Sequence, residues 1–289
     1  MTNSPLTLIA VHAHPDDESS KGAATTAKYA AQGVRVVVAT FTGGERGDIL
    51  NPKVAEAPEL LADLPAARRR EMADAARILG VEQRFLGFVD SGLPQGDPLP
   101  PLPLGSFATL DPAEAALPLV ELIREVRPQV LTTYDPSGGY PHPDHVQTHR
   151  ATMAALDLAA DAAYKPALGS PWRVAKVYYD QGISLDRIRA VHQAMVERGL
   201  ESPYEEWLSS RVESGQKPQN ITTRVAAADF FPVRDAALRA HVSQVDPDGW
   251  FFAAPRDIER EVWPHEDFEL VSSTVPVNLP EDDLFAGLR

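Results

Sequence analysis

Two short apolar runs, each ending in a His/Asp cluster, constrain this chain more than any other feature. The first is Leu8-Ile9-Ala10-Val11, which stops abruptly at His12, His14, Asp16, Asp17 and Glu18. Apolar residues that give way at once to polar groups read as a buried parallel strand at its carboxyl end. Open α/β sheets place their ligands in the crevice beyond such ends. Pro15 keeps His14 out of the α region. His14 and Asp17 can then leave one turn and converge, as imidazole and carboxylate do around a divalent metal. Alone, His-Pro-Asp-Asp reads equally well as a polar turn with a helix N-cap. The second run, 130–134, leads to Tyr140-Pro141-His142-Pro143-Asp144-His145, about 130 residues downstream of the first cluster. Two strand-end clusters of one type are expected to meet across a sheet edge, which favours a metal site.

The rest of the chain fits an α/β pattern. Helices are expected at 23–32 (Ser19-Ser20 offering an N-cap), 66–79, 112–127 and 145–163; strands at 34–40, 83–89, 130–134 and 174–179. Gly33 and Gly80 stand as helix stops. The first strand-helix-strand unit is short enough to be parallel and right-handed. The Gly43-Gly44 loop lacks the GK[ST] ending of a phosphate loop and is expected to carry Glu45 and Arg46 to the crevice. Arg68, Arg69 and Arg70 read as a solvated helix face. Residues 92–112, rich in Pro and Gly, form a long surface loop. His145 and His149, four apart on one helix, could chelate together, but His149 reads better as a surface or packing residue. Past residue 180 the alternation degrades: two short helices over 185–215, strands at 221–226 and 269–271, a helix at 231–242, and aromatic anchors at Trp250-Phe251-Phe252 and Trp263. The expected division is a core over 1–180 and a C-terminal α+β cap over 181–289 that completes the substrate pocket.

Composition narrows the chemistry. The chain has no cysteine, so disulfides, thiolate ligands and a Cys nucleophile are excluded. A net charge of −14 argues against a nucleic-acid partner. No apolar stretch is long enough to span a membrane and no signal peptide is visible, so a cytoplasmic location is expected. His14, Asp17 and His145 make the best three ligands, leaving the open position of a catalytic zinc. Asp16, beside the metal but not needed on it, can serve as general base. His142 can stabilise an oxyanion and then protonate a leaving amine. Asp144 can hold the His142 ring, and Tyr140 can donate to the same oxyanion. Together these parts suit metal-assisted hydrolysis of an amide.

Residues 12–18 together with 140–145 resemble the zinc-dependent de-N-acetylase family of the LmbE/PIG-L type, in order and spacing over roughly the first 180 residues. The resemblance implies a Rossmann-like, mostly parallel sheet flanked by helices, with one Zn²⁺ at His14, Asp17 and His145. It implies Asp16 as base and His142 as acid or oxyanion partner. A site of two nitrogens and one oxygen accepts Fe²⁺ as well. Stretches at 10–25, 42–52, 138–149 and 280–288 extend the likeness to a branch acting on small thiol–sugar conjugates. By it, Glu45, Arg68 and Asp90 are expected to hold the sugar portion, with Lys21 a further candidate. A deacetylase of the acetylated sugar would use the same residues. A non-catalytic sugar-binding module would leave Asp16 and His142 unexplained.

Overall fold

The structure, a computed structural model, describes residues 5–213 and 218–289. Its centre is a seven-stranded sheet of order β3-β2-β1-β4-β5-β7-β6. The strands are β1 (Thr7–His12), β2 (Arg35–Thr42), β3 (Glu82–Phe88), β4 (Val130–Thr133), β5 (Lys176–Asp180), β6 (Thr223–Ala226) and β7 (His265–Ser273). β1 through β5 are parallel; β7 runs antiparallel to β5, and β6 antiparallel to β7. β1 is buried along its whole length, as a continuous apolar run between two parallel neighbours must be. The chain winds outward from β1 to β2 and β3, then returns to β4 on the other side of β1. The gap between β1 and β4 is thus the topological switch point, and Leu8 pairs with Val130 across it. Both His/Asp clusters leave the sheet there, which is why residues so distant in sequence come together.

Helices α1 (Asp17–Ser20), α2 (Ala23–Ala31), α3 (Pro58–Ala62), α4 (Leu64–Leu79), α5 (Pro112–Ala115), α6 (Leu117–Val126) and α7 (Pro143–Ala160) accompany the parallel strands. Helices α8 (Leu185–Glu197), α9 (Tyr204–Glu213), α10 (Phe231–Ala240) and α11 (Arg256–Val262) follow β5. One core packs Ile9, Phe41, Leu119, Ile123 and Leu131; another packs Leu8, Tyr29, Tyr178, Phe268 and Phe285.

Some local expectations change. Ser19 and Ser20 belong to the single turn α1, and α2 is capped by Gly22, at φ 66°. The Glu266 carboxylate on β7 accepts from the Ala24 and Thr25 amides, at 3.2 and 2.7 Å, so the helix's exposed amides are met from the C-terminal segment. The helix expected at 112–127 is divided at Ala116, beside Pro118, whose ring removes a hydrogen bond from the turn. Residues 181–289 both extend the sheet, through β7 and β6, and pack α8 to α11 beyond the crevice. Residues 214 and 215, at the end of the expected second helix, lie outside the described residues.

Candidate metal centre and its cavity

Beyond β1 the chain turns at Pro15 and Asp16, and Asp16 sits at φ 107°. A non-glycine residue in that region costs roughly 1–3 kcal/mol and persists only where its surroundings enforce it. They do so here from both sides. The Asp16 amide donates to Glu18 Oε2 at 2.9 Å. Arg68, buried on α4, donates to the Pro15 carbonyl at 2.8 Å and to Asp16 Oδ2 at 3.3 Å. Arg68 also reaches the Gly44 carbonyl at 3.1 Å, where a Cβ on Gly44 would collide with the guanidinium. Arg69 and Arg70 remain on the solvated face; Arg68 alone turns inward.

Asp17 Oδ2 accepts the His14 amide at 2.9 Å and lies 3.5 Å from His14 Nδ1 and 3.4 Å from His145 Nε2. His145 reaches this point from the first turn of α7, which Pro143 opens and His142 caps by accepting the Asp144 amide at Nδ1, 3.1 Å away. His145 Nδ1 bonds the Gly138 carbonyl at 2.9 Å, which directs the Nε2 lone pair toward Asp17. That Nε2 is buried and has no hydrogen-bond partner among the described residues. His14 Nε2 is backed by Asp144 Oδ2 at 3.2 Å, the carboxylate support usual behind a ligating imidazole. His14, Asp17 and His145 therefore fit a divalent cation: ligand atoms within 4.8 Å of one another, two imidazoles, one carboxylate and an orphaned lone pair. His14, His142 and Asp144 form a second compact trio. There, however, His142 Nδ1 is already used, and Asp144 Oδ2 also accepts the Ser91 amide at 2.9 Å.

The protonation states follow from these contacts. Burial disfavours charge on His14, but the Asp144, Asp17 and Asp90 carboxylates outweigh it and raise its pKa. For Asp17, burial is outweighed by Lys21, whose Nζ is 2.7 Å from Oδ1, and by His145, so the carboxyl is held well below its ordinary range. Burial raises Asp16, with Arg68 opposing. His142 is lowered to about 3 by burial and then by His14 and His145, so its ring is neutral. Tyr140 is pushed up by burial and by Asp17 and Asp16, and keeps its phenolic proton.

Not every expected site residue stands where the sequence placed it. The Asp144 carboxylate does not orient His142: it faces His14 and Ser91, and it is the backbone amide of Asp144 that bonds the His142 ring. The cause is the helix cap, which sends the Asp144 side chain back toward the strand ends. Glu45 turns onto its own surroundings, accepting from the Gly43 and Asp90 amides at 3.2 and 3.0 Å. Asp90 accepts from the Gly92 amide at 2.7 Å and lies 3.6 Å from His14 Nε2. His149 stays out of the cluster, with Nδ1 3.0 Å from the Tyr134 carbonyl oxygen and its ring against Tyr179. Tyr134, unremarked in the sequence, stacks on the His145 ring at 4.4 Å and accepts the Ala13 amide at 3.0 Å.

A cavity of about 650 Å³ opens beside this centre. Asp16, Asp17, Lys21, Tyr140 and Asp180 line it from the core, whereas Trp207, Leu238, Val245, Trp250 and Phe251 line it from the C-terminal segment. Glu45, Arg68 and Asp90 are absent from that wall; they brace the loops behind it. Of these C-terminal lining residues, the sequence singles out Trp250 and Phe251 but not Trp207, Leu238 or Val245.

A doubly wound sheet bearing two imidazoles and a carboxylate at its switch point, with a spare carboxylate alongside, is the arrangement of a metal-dependent hydrolase built on an α/β sheet. The family described as PIG-L, GlcNAc-PI de-N-acetylase, matches residues 9–156, and the chain belongs to it. The chain is 56% identical over 286 residues to the Streptomyces coelicolor protein named mycothiol S-conjugate amidase, covering 98% of each. It is 41% identical to the Streptomyces scabiei 1D-myo-inositol 2-acetamido-2-deoxy-alpha-D-glucopyranoside deacetylase, over 97% of this chain and 89% of that one. In fold it resembles N,N'-diacetylchitobiose deacetylase from Pyrococcus horikoshii, with a TM-score of 0.60 at 19% identity over 92% of this chain and 83% of that one. The chain is a hydrolase of amide bonds.

Proposed function

We propose that this hydrolase cleaves the amide joining glucosaminyl-inositol to the S-substituted N-acetylcysteine of mycothiol S-conjugates, releasing a mercapturic acid. The observation that carries the reading is the gap in similarity: 56% identity to a relative named for that reaction, against 41% to one named as the deacetylase. The deacetylase reaction is the second reading, favoured by the several relatives that bear that name.

Zn²⁺ is the cation we assign to His14, Asp17 and His145; bound there, it would supply a Lewis acid that polarises the amide carbonyl and makes water more nucleophilic. Asp16, with its carboxylate at the cavity wall, takes the proton from the attacking water. Arg68 and Glu18 hold it in position for that transfer. The neutral His142 ring, with Nδ1 bonded to the Asp144 amide, offers its Nε2–H to the developing oxyanion. Tyr140 donates from the cavity side. With His142 neutral, the proton for the leaving amine comes from Asp16, whose carboxyl is raised by burial and can give back what it has taken. Lys21 keeps Asp17 ionised.

The test is a paired assay on zinc-loaded protein, following primary amine released from a mycothiol S-conjugate and from N-acetylglucosaminyl-inositol, with Asp16→Asn as control. Preference for the conjugate, lost in the variant, supports the amidase. Preference for the acetylated sugar replaces it with the deacetylase.

A further inference from the structure

Among the groups that line the cavity, Trp207, Trp250 and Phe251 have no part in the chemistry derived above. They form a continuous aromatic wall: Trp207 and Trp250 ring centroids lie 6.3 Å apart, and Trp250 and Phe251 meet edge to face at 5.5 Å. The wall is built to be stiff. Trp207 and Trp250 rest on a separate hydrophobic cluster that includes Ile188, Val191 and Ile258. Tyr204 meets Trp250 edge-on at 5.2 Å, and its hydroxyl donates to the Trp250 carbonyl at 3.3 Å. Large half-buried rings held over open space, supported from behind, are what a ligand-binding surface for an apolar group requires.

We propose that this wall is a subsite for the apolar group carried on the substrate's sulfur, favouring flat aryl and bulky alkyl thioethers over small ones. The proposal rests on the amidase reading for what it binds. An acetamide offers a single methyl on its acyl side, so release of acetate leaves the wall without a partner. An S-substituted cysteine has a side chain that extends away from the scissile carbonyl and can reach it. Because the contact is apolar, it selects by buried area and ring geometry rather than by hydrogen bonding, and many substituents satisfy it.

The experiment compares S-methyl and S-benzyl conjugates on the zinc-loaded full chain. Wild-type kcat/KM is expected to favour the benzyl conjugate about tenfold, equivalent to roughly 1.4 kcal/mol. Trp250→Ala is expected to bring that ratio close to one; Phe251→Leu, the milder change, to reduce it severalfold. Quenching of tryptophan fluorescence by S-benzyl- and S-methyl-N-acetylcysteine gives the same comparison without turnover. A wild-type ratio near one, or equal losses on both conjugates in the folded variants, overturns the subsite while leaving the amidase reading intact. If neither conjugate is cleaved but tighter binding of the benzyl ligand is seen and lost in Trp250→Ala, the subsite stands and the amidase reading falls.

Discussion

The Glu18 carboxylate joins Asp16 to His241. Its Oε2 accepts the Asp16 amide at 2.9 Å, and its Oε1 lies 2.7 Å from His241 Nε2, a residue 223 positions away at the end of α10. Both Glu18 and His241 are fully buried. The strained turn that presents Asp16 is therefore held partly from the C-terminal segment. Removing the imidazole in His241→Ala takes the ion-pair partner from a buried carboxylate, leaving it only the Ser19 hydroxyl and the Asp16 amide, which costs on the order of 3 kcal/mol. We expect the urea midpoint to fall accordingly. kcat is expected to drop about tenfold while zinc affinity, set by other residues, changes little. His241→Gln, which can still donate to Glu18, should recover part of both. Equal kcat in His241→Ala and wild type would show that Glu18 holds Asp16 without help.

Zinc should stabilise the fold through His145. A ligand that binds only the native state adds about 2.7 kcal/mol at a hundredfold excess over its Kd. Differential scanning calorimetry is expected to show Tm rising by several degrees on zinc addition. In His145→Ala the rise should vanish, because the orphaned Nε2 is gone. A chelator should abolish turnover and reverse the shift, leaving the far-UV circular dichroism of the folded chain unchanged.

His142 should act as a neutral donor. Its Nδ1 accepts a backbone amide and its pKa is depressed to about 3, so only Nε2–H is available near neutral pH. Loss of one oxyanion donor typically costs about a hundred- to a thousandfold in kcat. His142→Ala should show a loss of that size, and His142→Gln, whose side-chain amide donates without titrating, should restore a measurable part. Were Gln as poor as Ala, a charged or proton-transferring ring would be required instead.

Asp180 makes stability depend on pH. Burial, and then the Glu266 charge, raise its carboxyl from 3.8 to about 7. The folded chain therefore holds this proton more tightly than the unfolded one, and stability falls as pH rises between those two values, then levels off. Asp180→Asn keeps the acceptor for the Gly182 amide, which lies 2.8 Å from Oδ1. The variant should match wild type near pH 4 and gain on the order of 1–2 kcal/mol by pH 8. Urea unfolding at the two pH values measures the difference. A gain that does not change with pH would assign the effect to packing.

Much of the site could be read locally. Pro15 and Pro143 constrain the backbone beside the residues we assign to the cation, and the apolar runs before them mark the strands that bring them together. The role of Asp144 was not legible, because a residue one position from His145 can point either way until the helix cap sets its direction. Arg68 could not be told from Arg69 and Arg70 by charge alone; the space left by Gly44 and Gly47 admits it. Glu45 and Asp90 lie near the centre, but each is also tied to the other's loop, Glu45 by the Asp90 amide and Asp90 by the Arg46 amide, and those partners are long-range neighbours.

By itself the sequence determined the strand-helix alternation and the residue types able to hold a cation, because hydrophobic period and proline geometry act over a few residues. Tertiary structure decided which carboxylate backs which imidazole, how Glu18 and His241 hold the Asp16 turn, and that Trp207 and Trp250 wall the cavity. Those relationships depend on distances between side chains far apart along the chain, and such distances are set only when β1, β4 and β5 pair and the C-terminal segment packs against them.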